Sequence, residues 1–206
     1  MWDELPQFQL LVVDESDAIV AELQTAPLAW DGIVENLPEG IDAAIREAVE
    51  GRRRGQVPNV LCAMAAEIAP AYRGAGLATF GLEAMRNLAA SRGLTHLIAP
   101  VRPSEKHRYP ITPIAEYANW RRPDGLHPDP WIRVHQRLGA RIVGVSPQSL
   151  RISGSVEEWE SWTGLPLPAS GAYVFPDGLA PLAVDCEAGS AVYYEPNIWL
   201  VHDLTM

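Results

Sequence analysis

Residues 67–93 read EIAPAYRGAGLATFGLEAMRNLAASRG, and an apolar run, VLCAMAAEIA (60–69), leads into them. The run has the length and continuity of a buried strand. It ends at Pro70, passes Arg73 and the pair Gly74-x-Gly76, and opens a helix near Ala75. Leu77, Phe80, Gly81, Ala84, Met85 and Leu88 fall at i, i+3, i+4 spacing, a stripe that packs on a sheet, and Gly93 stands where an αL residue would close the helix. Strand, glycine turn and helix in that order constrain the chain strongly. Glycines let backbone amides approach a ligand, and a helix start carries free N–H groups and the positive end of the dipole. The arrangement calls for something negatively charged at the turn.

Around this unit the chain alternates strands and helices. QFQLLVV and AIVAELQT read as a hairpin turning at Asp14-Glu15-Ser16-Asp17. Residues 27–58 hold an amphipathic helix with Ile41, Ala44, Ile45, Ala48 and Val49 on one face, ending at GRRRGQ. THLIAPV (95–101) is the next strand. Segment 102–130 is rich in Pro, Arg, His, Tyr and Trp without a sustained apolar period, except a short helix opening at Thr112-Pro113 with Pro at N1. DPWIRVHQRLGA is a helix ending at Gly139. RIVGVSPQSLRIS is a strand interrupted near Pro147. Ser155 and Glu158 form a capping box for a helix that ends at Gly164 and carries Trp159 and Trp162 as core residues. The tail is strand-rich, with turns at Asp177-Gly178 and Ala188-Gly189. The order predicts an α/β fold with a mixed sheet flanked by helices. A single domain over 1–206 is expected, with 27–58 and 102–130 as inserted segments and 155–206 as a C-terminal helix and strands.

Composition narrows the function classes. The 206 residues are 48% hydrophobic, enough for one ordinary core, and no apolar stretch reaches the ~18 residues a membrane span needs. The acidic start Met1-Trp2-Asp3-Glu4 has no signal-peptide pattern, so a cytoplasmic protein is expected. Cys62 lies inside the apolar run as a small core residue and Cys186 is remote, so neither a disulfide framework nor a zinc site is expected. A formal charge of −10 disfavours nucleic acid and anionic membranes and modestly favours a cationic small substrate. His96, His107, His127 and His202 lack metal-ligand spacing, so no metal is expected. The apolar, Trp-rich tail makes a homodimer an expectation.

Three readings of the glycine turn follow. It can be a tight turn only. It can be a dinucleotide site, but the third glycine position is Thr79, and Arg102 stands where a ribose-binding acid is expected; that leaves an NADP-dependent reductase as an alternative. Third, Arg73-Gly74-Ala75-Gly76-Leu77-Ala78 has the form Arg-x-x-Gly-x-Ala, and Ile68-Ala69-Pro70-Ala71-Tyr72-Arg73-Gly74 precedes it. This stretch resembles the acyl-CoA loop of the GNAT acyltransferases. Val134-His135-Gln136-Arg137-Leu138-Gly139 resembles that family's Phe-Tyr-Glu-Lys-Leu-Gly patch, with His135 where the family has Tyr. Family members usually place a strand and two helices before the first hairpin. Here the hairpin comes almost at once, so the acceptor wall must come from the 27–58 helix, from 102–130 or from another chain.

The resemblance implies acyl transfer from acyl-CoA, acetyl-CoA first, to a small-molecule amine; the alternative is a GNAT-like module that binds acyl-CoA without catalysis. It implies a cosubstrate site at Ile68, Ala69, Arg73, Gly74, Ala75, Gly76, Leu77 and Ala78, with a backbone N–H near Ile68 or Ala69 meeting the oxyanion. An alkylamine is mostly protonated at neutral pH, so a base is needed. Glu67, in its apolar run, is the candidate, and burial there is expected to make it basic enough. His135, near an ordinary pKa of about 6.5, is the candidate acid toward the departing thiolate, with Tyr109 or Tyr117 as others. Arg102, Lys106, His107 and Arg108 are read either as contacts to the CoA 3′-phosphate or lid or as a solvated loop.

Overall fold

The computed structural model describes residues 3–204. Eight strands form one mixed sheet: β1 (Gln9–Val13), β2 (Ile19–Leu28), β3 (Val60–Ile68), β4 (His96–Val101), β5 (Arg141–Ser155), β6 (Gly171–Tyr173), β7 (Leu182–Asp185) and β8 (Ser190–Asp203). The order is β1-β2-β3-β4-β8-β7-β6, with β5 along the other edge of β8. Five helices accompany it: α1 (Ile41–Arg53), α2 (Leu77–Ser91), α3 (Ile114–Tyr117), α4 (Pro130–Arg137) and α5 (Val156–Thr163). The expected α/β mixed sheet flanked by helices is the observed fold, and the capping box at Ser155 and Glu158 is formed. Among the described residues no helix is long and apolar enough to cross a membrane.

The β3–β4 pair is the only parallel pairing among the described residues, and it covers just Val60–Cys62 against His96–Ile98. Beyond Cys62 and Ile98 the two strands part. That corrects the sequence expectation for 60–69: Val60, Leu61 and Cys62 are buried, but Ala63–Ala65 are half-buried and Ala66 and Glu67 exposed. The run is apolar along its length because its second half lines a cavity rather than a packed core. A repeated parallel βαβ sheet, which the dinucleotide reading requires, is absent from the described residues.

Two further expectations change. Phe80 and Trp162 are exposed, although the spacing put both on packed faces. The face of α2 that is buried carries Gly81, Leu82, Met85 and Ala89, and only Trp159 of the tryptophan pair enters the core.

The start of α1 is pressed onto β5. Ile41 N–H donates to Ser149 Oγ at 3.0 Å, Arg151 N–H to Asp42 Oδ2 at 3.0 Å, and Ser146 Oγ to Glu39 O. Gly40 makes this approach feasible. A Cβ there would stand 2.2 Å from Ser149 Cα and 2.5 Å from its carbonyl oxygen, both rigid backbone. Its φ of 167° is ordinary extended backbone, so space alone demands glycine. Gly40→Ala should therefore destabilise the fold by about 3 kcal/mol, near the upper end for overpacking. Urea unfolding reads this directly, and a loss below about 0.5 kcal/mol would show that the contact yields.

Candidate active site

The glycine turn is built by backbone conformation. Pro70–Tyr72 form a single 3-10 turn. Gly74 and Gly76 then take φ of 83° and 84°, the left-handed region that L side chains enter at about 1–2 kcal/mol. A Cβ at either would meet nothing within 4 Å, so the turn is open above both. Helix α2 starts at Leu77, two residues later than its sequence pattern indicates, with Gly76 as N-cap and no side-chain cap. The amides of Gly76, Leu77 and Ala78 find no acceptor among the described residues. A helix N-terminus normally recruits a Ser, Asp or Asn for such groups; here they are left facing solvent, as an anion site requires.

Tyr72 fastens this turn to the hairpin 58 residues earlier. Its hydroxyl donates to Asp14 Oδ2 at 2.6 Å. Asp14 Oδ1 accepts from Ser16 N–H, Ser16 Oγ and Ala18 N–H. These bonds, led by that from the Ser16 hydroxyl, hold the Asp14 carboxyl well below the usual range. Arg73 is exposed, and its Nε donates only a long bond, 3.4 Å, to Ile68 O. Ala69 N–H is already donated to Val20 O at 2.9 Å, so Ala69 is corrected as an oxyanion donor. Strand alternation turns Ile68 to the opposite edge, the one toward β4.

Between the parted strands lies a cavity of about 330 Å³. Ala63–Glu67 line it from β3, Ala99–Arg102 and Ser104 from β4 and its end, Leu82 and Met85 from α2, Trp131 and His135 from α4, Ile41 from α1, and Glu195 from β8. Ala66 and Glu67 also line a groove that runs past Ile68 to Pro70 and Arg73. Groove and cavity thus share Ala66 and Glu67, and the groove ends at Arg73, one residue before the glycine turn. A cleft of similar size, about 320 Å³, among Phe8, Leu28, Ala48 and Val57 shares no residue with them.

Of the predicted chemical residues, Glu67 and His135 both reach the cavity. Glu67 is exposed to it, contrary to the expected burial. His135 is only 1% exposed. Its Nδ1 lies 3.0 Å from His202 Nε2, the Trp131 ring stands edge-on at 4.6 Å, and its Nε2 has no partner. Burial, with a smaller contribution from His202, pushes its pKa down to about 3. The imidazolium acid that the sequence suggested is therefore corrected to a neutral imidazole. Tyr109 does not line the cavity; its ring stands edge-on to Trp120 at 4.8 Å and tilted against Tyr117 at 6.2 Å. Tyr117 is buried and donates to Asp129 Oδ2 at 3.1 Å, so it is spoken for.

Segment 102–130 is tied down. Asp129 caps α4 and accepts from Ser104 Oγ, Glu105 N–H and Tyr117 Oη. Lys106 is 1% exposed and donates to Tyr109 O and Leu179 O, both at 2.7 Å, while burial pushes its pKa down to about 8. Arg108 pairs with Glu105 at 3.0 Å, and His107 Nδ1 lies 3.0 Å from Ser104 O. Lys106, buried and donating to two carbonyls, is thereby corrected from a phosphate or lid residue to a structural one. Among the described residues no group of three or more His, Cys, Asp or Glu is placed to hold a metal ion.

Sequence reasoning missed Glu195, which is 8% exposed and receives Arg102 Nε at 2.8 Å. A glutamate inside the apolar strand SAVYYEPNIWLVHD was the available signal. It also missed His202 as the partner of His135.

An open glycine turn with unused amides and a helix start behind it offers free donors to an anion, beside a cleft between two parting parallel strands. Comparison with known proteins supplies the class. The chain is 32% identical over 223 aligned residues to the arginine N-acetyltransferase avaD of Aspergillus versicolor, covering 96% of this chain and 76% of that one. Its fold matches the loading GNATL domain of CurA from Lyngbya majuscula (TM-score 0.62, 21% identity, 97% of this chain and 78% of that one). It also matches the GphF GNAT-like decarboxylase solved with isobutyryl-CoA (TM-score 0.60, 16% identity, 99% and 82%). No family model matches the chain. The chain belongs to the GNAT superfamily of acyl-CoA N-acyltransferases. This membership displaces the NADP-dependent reductase, and Arg102, which with Gly74-x-Gly76 had supported it, is held by Glu195 instead.

Proposed function

We propose that the chain, as a single domain, transfers an acyl group, acetyl first, from acyl-CoA to the amino group of a small amine. The observation that carries this is the groove that leads from Arg73, beside the glycine turn, to the cavity, with Glu67 where groove and cavity meet. The avaD relative is named for arginine, which makes arginine the first acceptor to test here.

In this reading the amides at Gly74–Ala78 and the charge of Arg73 hold the pyrophosphate. The acyl arm follows β3 into the cavity. Glu67 takes the proton from the acceptor ammonium, directly or through a water, so that a neutral amine attacks the thioester carbonyl. The C–S bond of the tetrahedral adduct then breaks, and the CoA thiolate leaves and takes up the proton that the new amide nitrogen gives up. Of the two predicted donors for the oxyanion, Ile68 remains. His135 serves as a neutral hydrogen-bonding group at the cavity wall, a role open to an imidazole kept uncharged by burial.

Glu67→Gln tests the base. Turnover, followed as free CoA thiol with arginine present, is expected to fall at least about 100-fold, while acetyl-CoA binding by calorimetry stays within a factor of two. Unchanged turnover removes Glu67 from the role.

A further inference from the structure

We propose that Arg102, braced by Glu195, recognises a carboxylate on the acceptor, so that the preferred acceptors are α-amino acids rather than simple amines. This inference rests on the acyl-transfer reading above.

The two residues meet at a breach in the sheet. On one edge, β8 pairs with β7 through Ser190–Val192 and with β4 through Ile198–Asp203. Residues 193–197 between them have no strand partner on that edge. Glu195 lies in this breach, nearly buried, and a buried carboxylate requires a cation or several donors. Arg102, one residue beyond the end of β4, supplies Nε at 2.8 Å and also donates Nη2 to Asp177 O at 3.0 Å. Those two bonds fix the plane of the guanidinium. They use two of its five N–H groups, and the side chain keeps 43% exposure.

The other charges along the cavity sharpen the argument. Among the described residues that line it, Arg102 is the one permanent cation and Glu67 and Glu195 are the carboxylates. Arg102 and Glu195 neutralise each other, leaving Arg102 to act through its unused N–H donors, and Glu67 makes no ion pair among the described residues. The nearby Lys106 is turned away onto two carbonyls. The cavity therefore offers a free carboxylate on the β3 limb for an ammonium. On the β4 limb it offers a fixed guanidinium with unused donors, the geometry that holds a carboxylate by paired hydrogen bonds. An acceptor with adjacent ammonium and carboxylate uses both; an amine alone leaves the guanidinium donors without a ligand.

The test compares kcat/KM within three pairs: arginine and agmatine, lysine and cadaverine, phenylalanine and phenethylamine. The first member of each pair carries the carboxylate and the second lacks it. In the unaltered protein the ratio is expected to favour the amino acid at least 10-fold in one pair or more. Arg102→Gln alone leaves Glu195 buried and unpaired, so the double variant Arg102→Gln/Glu195→Gln is measured with it. In the double variant the ratio is expected to fall to near one, chiefly through a higher KM for the amino acid. A fold-supporting ion pair with no part in recognition would shift both members equally. A ratio near one in the unaltered protein, or one that survives the double substitution, overturns the clamp and leaves acyl transfer standing. CoA released with no member of any pair overturns the acyl-transfer reading and the clamp with it.

Discussion

Gly76→Asp is expected to abolish acetyl-CoA binding while leaving the protein folded. No atom lies within 4 Å of a Cβ at position 76, so the side chain enters open space. The backbone there is left-handed, which disfavours a non-glycine residue by about 1–2 kcal/mol, aspartate less than most. An acidic side chain at a helix N-terminus also recovers part of that by accepting from the free amides behind it. The same carboxylate then occupies the place proposed for the pyrophosphate and repels it. Affinity should fall at least 100-fold, about 2.7 kcal/mol, and calorimetric titration with acetyl-CoA measures it. Gly76→Ala, which adds strain without charge, should lose only about 10-fold. If the aspartate variant binds acetyl-CoA as well as the parent, the pyrophosphate does not sit at this turn.

The second large effect is acid lability through the buried histidine pair. His135 and His202 touch at 3.0 Å, both are 1% exposed, and burial first of all pushes their pKa values down to about 3 and about 4. Arg86 also disfavours a charge on His202. In the unfolded chain both titrate near 6.5. Below that value the unfolded state binds protons that the native state refuses, so stability falls as the pH falls. The loss begins near pH 6.5 and continues to the native pKa values, where it levels. Two protons at about 1.4 kcal/mol per unit give a loss of about 4 kcal/mol by pH 5, a large share of the 5–15 kcal/mol typical of a folded domain. His127, also fully buried with its pKa lowered by burial, acts in the same direction. Asp14 acts later, since a carboxylate held below its ordinary pKa releases its stabilisation only below about pH 4. Urea unfolding at pH 7.5, 6.5, 5.5 and 5.0 should show the decline, and His135→Gln/His202→Gln should flatten it by up to two protons. Equal stability of the parent at pH 7.5 and 5.0 would show that the pair is not held neutral.

What was legible in advance was local. The run from Val60 to Gly93 spells strand, glycine turn and helix because each step is a backbone requirement: a β-forming run, two residues at positive φ, then a 3.6-residue period. The capping box at Ser155 and Glu158 and the hairpin at Asp14 are equally local. Errors arose where a residue's environment is set by distant chain. Phe80 and Trp162 had the spacing of packed faces, but both stay more than half exposed. Lys106 had the composition of a solvated basic loop, but Leu179, 73 residues on, supplies one of its two carbonyls.

The site itself divides along the same line. The sequence by itself determined the glycine turn where the anion is proposed to sit, since free amides and left-handed glycines are properties of consecutive residues. It also determined the family, through Arg73-x-x-Gly76-x-Ala78. Only the tertiary structure decided that β3 and β4 part after Cys62, which turns an apolar strand into the wall of a cavity and exposes Glu67. The packing of His202 against His135 is likewise tertiary, and it makes a titratable residue neutral. Glu195 is brought beside Arg102 by strands 93 residues apart in the chain. Protonation and recognition depend on which groups exclude water from one another, and that is fixed by contacts between distant segments.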